Sequence, residues 1–114
     1  MPLTLEAKNR ALRAILAGPV QVGLLVGDQE ETDANYRRQP IIMLPADGEP
    51  SAQWMSAEEV RFPGWATASS VTGWALYDGG GIELSRESFE SPTVLKARER
   101  LTFGPGDLMV ELEG

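Results

Sequence analysis

The chain contains no cysteine and no histidine. Without cysteine there are no disulfides, no zinc–thiolate sites and no thiol nucleophile. Without histidine the commonest general base and metal ligand is missing, and with it every Ser-His-Asp arrangement. Positive charge is scarce: ten Lys and Arg face seventeen Asp and Glu, a formal net charge of −7. That surplus favours solubility and argues against general nucleic-acid binding. No stretch approaches about 18 uninterrupted apolar residues, so no membrane-spanning helix is expected. The opening MPLTLEAKNRALRAILAG lacks the basic start and long apolar run of a signal peptide, so accumulation in a cytoplasm is expected.

What remains is an ordinary globular composition, 42% hydrophobic and 24% charged over 114 residues. Residues 1–114 are expected to form one domain, burying roughly 65% of the unfolded surface. The clearest strand is VTGWALYD, Val71 to Asp78. Extended, it places Val71, Gly73, Ala75 and Tyr77 on one face and Thr72, Trp74 and Leu76 on the other. Both faces are largely apolar, which predicts a strand covered on both sides. Gly79, Gly80 and Gly81 predict a tight turn, and Ile82 to Leu84 a returning partner strand.

Thr4 to Ala17 predicts the one helix. Thr4 suits the N-cap, Glu6 the first turn, and Gly18-Pro19 the stop. Leu5, Leu12, Ile15 and Leu16 share its apolar face. Val20 to Val26 reads as a strand, with Gly23 leaving room for another backbone to approach. Tyr36 to Leu44 reads as an edge or bulged strand because Pro40 lies inside it. Ala52 to Phe62 predicts one or two short strands, and Glu87 to Ala97 an extended segment interrupted by Pro92. Glu99 to Phe103 and Leu108 to Leu112 flank the turn at Gly104 to Asp107. About eight short strands and one N-terminal helix predict a mainly β fold, an antiparallel β-sandwich.

Candidate chemistry is thin. Asp28, Glu30, Glu31 and Asp33 fall in one polar loop, but their spacing is not that of a calcium loop, and a solvated acidic loop is expected. Neither Gly79-Gly80-Gly81 nor Gly104-Pro105-Gly106 has the lysine and hydroxyl of a phosphate loop. Nothing singles out two carboxylates as a glycosidase pair. No cofactor and no metal site is expected. Tyr36, Arg37, Arg38, Trp54 and Trp65 have no core role in the strand reading. Aromatics and arginine commonly anchor protein interfaces, so these five are the candidate contact residues. The alternative is that Trp54, Trp65, Trp74, Tyr36 and Tyr77 supply rings for sugars to stack on, the pattern of a carbohydrate-binding module for a host surface glycan, although Trp74 is more easily explained as core.

Several pieces, in order, resemble a family of small tailed-bacteriophage structural proteins, the phage tail fibre proteins. They are KNRALRAILAG (Lys8 to Gly18), VGLL (Val22 to Leu25), YRRQ (Tyr36 to Gln39), VRFPGW (Val60 to Trp65), VTGWALYDGGG (Val71 to Gly81) and SPTVLKARERLTFGPGDLMVEL (Ser91 to Leu112). The likeness covers nearly the whole chain. Within it, KARER stands before Leu101 where a Gly-Asp type of turn is expected. The Met43 to Trp54 loop is also richer in charge and proline than expected. The resemblance implies a non-enzymatic virion component, at the tail or fibre or decorating the head, made in the host cytoplasm. It implies homo-oligomeric contacts or contacts with other tail or capsid proteins, and neither a nucleic-acid nor a membrane partner. It supplies no catalytic residues.

Overall fold

In the computed structural model, residues 3–46 and 48–112 are described. Helix α1 (Leu5–Leu16) begins where the cap signal predicts: Thr4 is extended and its hydroxyl accepts the Ala7 N–H at 3.1 Å. Ala17 ends it, and the Gly18-Pro19 pair follows. Only Asn9, Leu12 and Leu16 are buried along the helix. Leu5 and Ile15, expected on the core face, are 51% and 46% exposed. The helix meets the body from Asn9 onward, where Asn9 Oδ1 accepts from Ser51 and Trp54, while Leu5 and Glu6 at its start are exposed.

Among the described residues ten strands follow: β1 (Val20–Val26), β2 (Gln29–Glu30), β3 (Gln39–Ile41), β4 (Met43–Pro45), β5 (Gln53–Ser56), β6 (Val60–Arg61), β7 (Ser69–Asp78), β8 (Glu83–Leu95), β9 (Thr102–Phe103) and β10 (Met109–Glu111). The fold is mainly β, antiparallel and sandwich-like, with an N-terminal helix, as expected. A five-stranded sheet runs β2-β1-β7-β8, with β3 also on β1. A three-stranded sheet runs β10-β5-β4, and β6 pairs with β9. The segment expected as one strand over Tyr36 to Leu44 is divided between two sheets, β3 joining β1 and β4 joining β5. Ile42 is the hinge between them. The two segments expected around Leu84 and Pro92 are instead one strand, β8, which contains the proline. An edge strand tolerates it, because its outer N–H groups have no ladder partner.

Apolar side chains from all three sheets and α1 meet in the main core. Val22, Leu24, Trp74 and Leu76 come from the large sheet. Met43, Trp54, Phe62, Trp65, Phe103 and Leu108 face them, and Leu12 and Leu16 close one end. The opposite face of the large sheet carries a smaller cluster of Leu25, Ala75 and Tyr77. The central strand is therefore covered on both sides, with one departure from simple alternation. Val71 joins the main core, not the Ala75 and Tyr77 side. The β7–β8 register is irregular between Val71 and Gly73, the same point at which β7 departs from simple alternation.

Candidate functional site

The five candidate contact residues do not form one surface. Trp54 and Trp65 are 2% and 1% exposed, so the expectation that they lie free of the core is corrected. Each indole is also polar-satisfied inside. Trp54 Nε1–H donates to Asn9 Oδ1 at 3.3 Å, and Trp65 Nε1–H donates to Glu31 Oε2 at 3.2 Å. With Trp74 buried as well, none of the three indoles offers an open face to a sugar ring.

Tyr36 is half-buried and stacks on Phe62, centroids 6.1 Å apart and planes 11° from parallel. Its hydroxyl donates to Glu30 Oε2 at 2.5 Å and accepts the Leu24 N–H at 3.1 Å. Arg38 grips the same carboxylate with two prongs, at 2.9 and 2.8 Å, and lies 3.6 Å over the Tyr77 ring. Gly23 makes this cluster possible. A Cβ there would meet the Tyr36 hydroxyl at 2.5 Å and the Tyr77 ring at 2.8 Å. The room expected for another backbone is thus taken by side chains. Arg37 alone stays exposed, its guanidinium donating to the Ala34 and Tyr36 carbonyls.

The acidic loop is not simply solvated, which corrects that expectation. Buried Glu31 accepts from Trp65 Nε1, from Ser69 Oγ at 2.6 Å, and from the N–H groups of Thr32 and Asp33. Asp33 accepts from the Ala66, Thr67 and Asn35 N–H groups and from the Thr67 hydroxyl. Two carboxylates therefore clamp the segment around Trp65 onto the loop after β2. Their lone pairs face donors within the chain. Among the described residues no three carboxylates gather as a metal would need.

These bonds set pH dependence. Hydrogen bonding to Arg38, and secondarily to Tyr36, holds the Glu30 carboxyl below its ordinary 4.5, against the opposing effect of burial. Donation from the Ala66 N–H, with further donors, holds Asp33 low too. Burial and the Glu30 bond push the Tyr36 hydroxyl well above the usual phenol range. A depressed carboxyl stabilises the fold above its unfolded pKa, and that stabilisation is lost as pH falls through the folded pKa. Melting temperature should therefore fall as pH drops below about 4.5. In Glu30→Gln, thermal melts across pH should show a lower plateau and a shallower acid decline. An unchanged profile would remove Glu30 from this role.

One open apolar surface, flanked by grooves, lies elsewhere. A groove of about 430 Å³ runs between the end of α1 and β4, with Leu16, Met43 and Trp54 lining its depth. Ile42 and Leu44 stand on its outer side, each 52% exposed. Arg13 sits at its mouth, ion-paired to Glu49 and 5.8 Å over the Trp54 ring. A second groove of about 650 Å³, lined by Pro19, Val20 and Pro40, lies against Ile42 as well. Ile42 thus forms a ridge shared by two grooves. β4 is also an edge strand, so part of its backbone is unpaired. The sequence carries a signal for this ridge. Ile41-Ile42-Met43-Leu44 is apolar on both faces, and beside Pro40 at a sheet edge one face must meet solvent.

No family model matches the chain, and no curated protein matches its sequence.

Proposed function

We propose that this chain is a non-enzymatic structural component of a tailed-bacteriophage virion, tail- or fibre-associated or decorating the head, acting through contacts with neighbouring subunits. The observation that carries the reading is the Ile42 ridge. Ile42 and Leu44 are half exposed beside grooves lined by apolar residues. Burying such a ridge against a neighbour removes apolar surface from water, at roughly 25 cal/mol per Å². The unpaired edge of β4 adds backbone donors and acceptors to the same surface. The ordered likeness to phage tail fibre proteins supports the virion setting. The buried Glu31 and the partly exposed Asp33 both accept several hydrogen bonds within the fold, which supports a structural role for these two carboxylates. The glycan-binding alternative has lost the exposed indoles on which it rested.

The test is incorporation. Phage particles produced with Ile42→Glu in place of the natural chain should retain about tenfold less of it, measured by immunoblot of purified particles. The circular dichroism and melting temperature of the isolated variant should match those of the unaltered chain. Equal incorporation of both would overturn the proposed surface.

A further inference from the structure

The departure at KARER has a structural counterpart. Lys96 to Glu99 form a turn closed by the Glu99 N–H on the Lys96 carbonyl at 3.1 Å. Its third residue, Arg98, sits at φ 73°, the only non-glycine at positive φ among the described residues. Glycine or asparagine normally fills that position. The turn is nonetheless locked. The Arg98 N–H donates to the Trp65 carbonyl at 2.6 Å, and the Trp65 N–H to the Glu99 carbonyl at 2.9 Å. The Glu99 carboxylate accepts the Lys96 N–H at 2.7 Å. Gly64 leaves the space: a Cβ there would lie 2.9 Å from the Arg98 carbonyl oxygen. An arginine is thus held in a disfavoured conformation on a fixed support.

Its surroundings are cationic and unspent. Lys96, Arg98 and Arg100 are all exposed, and among the described residues none is ion-paired. By contrast Arg10, Arg13, Arg38, Arg61 and Arg86 each hold a carboxylate. A separate groove of about 380 Å³ has the opposite character. Glu87, Asp107 and Glu111 line it, with Trp74 and Met109. Asp107 already accepts the Gly104 N–H and Glu111 the Gln53 side-chain amide, while Glu87 has no bonded partner among the described residues.

We propose that the Lys96 to Arg100 turn of one copy docks in the Glu87, Asp107 and Glu111 groove of the next. This deepens the reading above, resting on it for contacts between copies and naming the second copy as the partner. Charge complementarity selects that occupant. Two chains of net charge −7 repel unless their contact sets opposite charges face to face. The turn is the densest unpaired positive patch, and guanidinium forks suit carboxylates. The two patches share no residue, so a single contact leaves one turn and one groove open, to be exchanged across a two-fold axis or continued into rings or filaments.

Sedimentation velocity on the full chain tests this. Self-association should weaken with salt. Arg98→Gly should associate about tenfold more weakly yet melt at a higher temperature, because glycine adopts that φ freely. A turn with only a structural role would raise the melting temperature and leave association unchanged. Lys96→Glu/Arg98→Glu/Arg100→Glu and Glu87→Lys/Glu111→Lys should each stay monomeric alone and assemble when mixed. Failure of the mixture to assemble, or wild-type association by Arg98→Gly, would overturn the contact. So would a wild type that is monomeric at every salt concentration, including one whose turn binds DNA instead. Those outcomes leave the particle-incorporation result for Ile42 standing, so the two readings fail separately.

Discussion

Trp65→Ala should destabilise the fold by about 3–5 kcal/mol, the range for emptying a buried aromatic site. Trp65 is 1% exposed and packs against Phe62 with ring centroids 6.4 Å apart. Its backbone is bonded on both sides to the Arg98 turn, so the cavity has little freedom to collapse. Truncation also takes a donor from the buried Glu31 carboxylate, and losing a partner of a buried charged group adds its own cost. Domains are typically stable by about 5–15 kcal/mol, so the variant should be marginal or unfolded. Urea denaturation followed by circular dichroism measures this. Trp65→Phe separates the two contributions, since it retains most of the packing and loses the N–H. A loss below about 1 kcal/mol for Trp65→Ala would mean that the indole is not in the core.

Gly73→Ala should cost about 3 kcal/mol, the upper part of the range for overpacking a tight site. The β7–β8 pairing passes from Val71↔Thr93 to Gly73↔Ser88, so the residues from Phe89 to Pro92 bow out of register. This irregularity presses the Glu87 carbonyl against Gly73, and an added Cβ would run into that oxygen. The obstacle is backbone, which cannot swing aside as a side chain does. Gly79→Ala is the contrast. It lies in the turn but not at positive φ, and a Cβ there would touch only Pro19 at 3.9 Å. It should shift stability by less than about 0.5 kcal/mol. Thermal melts of the two variants should differ clearly, and equal melting temperatures would contradict the pressed-backbone account.

Local signals in the chain were readable where one short stretch decides the outcome. Thr4, Glu6 and Gly18-Pro19 delimit α1 without help from distant residues. The apolar content on both faces of Val71 to Asp78 suffices to make it the central strand. Of the three glycines after it, only Gly81 adopts positive φ, so the triplet overstated what the turn needs. Burial is not legible locally where the partner is far along the chain. Trp65 is buried because Glu31, more than thirty residues earlier, receives its N–H. Trp54 is buried because Asn9 on α1 accepts its N–H, and no local pattern announces an asparagine there. Arg38 and Tyr36 looked free because Glu30 seemed to belong to a solvated loop, whereas β2 turns it back onto them. The Ile42 ridge is built from aliphatic residues at a sheet edge, and aliphatic residue type alone does not tell an exposed edge from a core strand.

The proposed virion role is most directly tested by negative-stain imaging of purified phage particles labelled with a gold-conjugated antibody against this chain. The account predicts label fixed to the particle, at a regular position on the tail or around the head, in unaltered phage. Particles that carry no label, with the chain recovered only from the soluble fraction of the lysate, would contradict it.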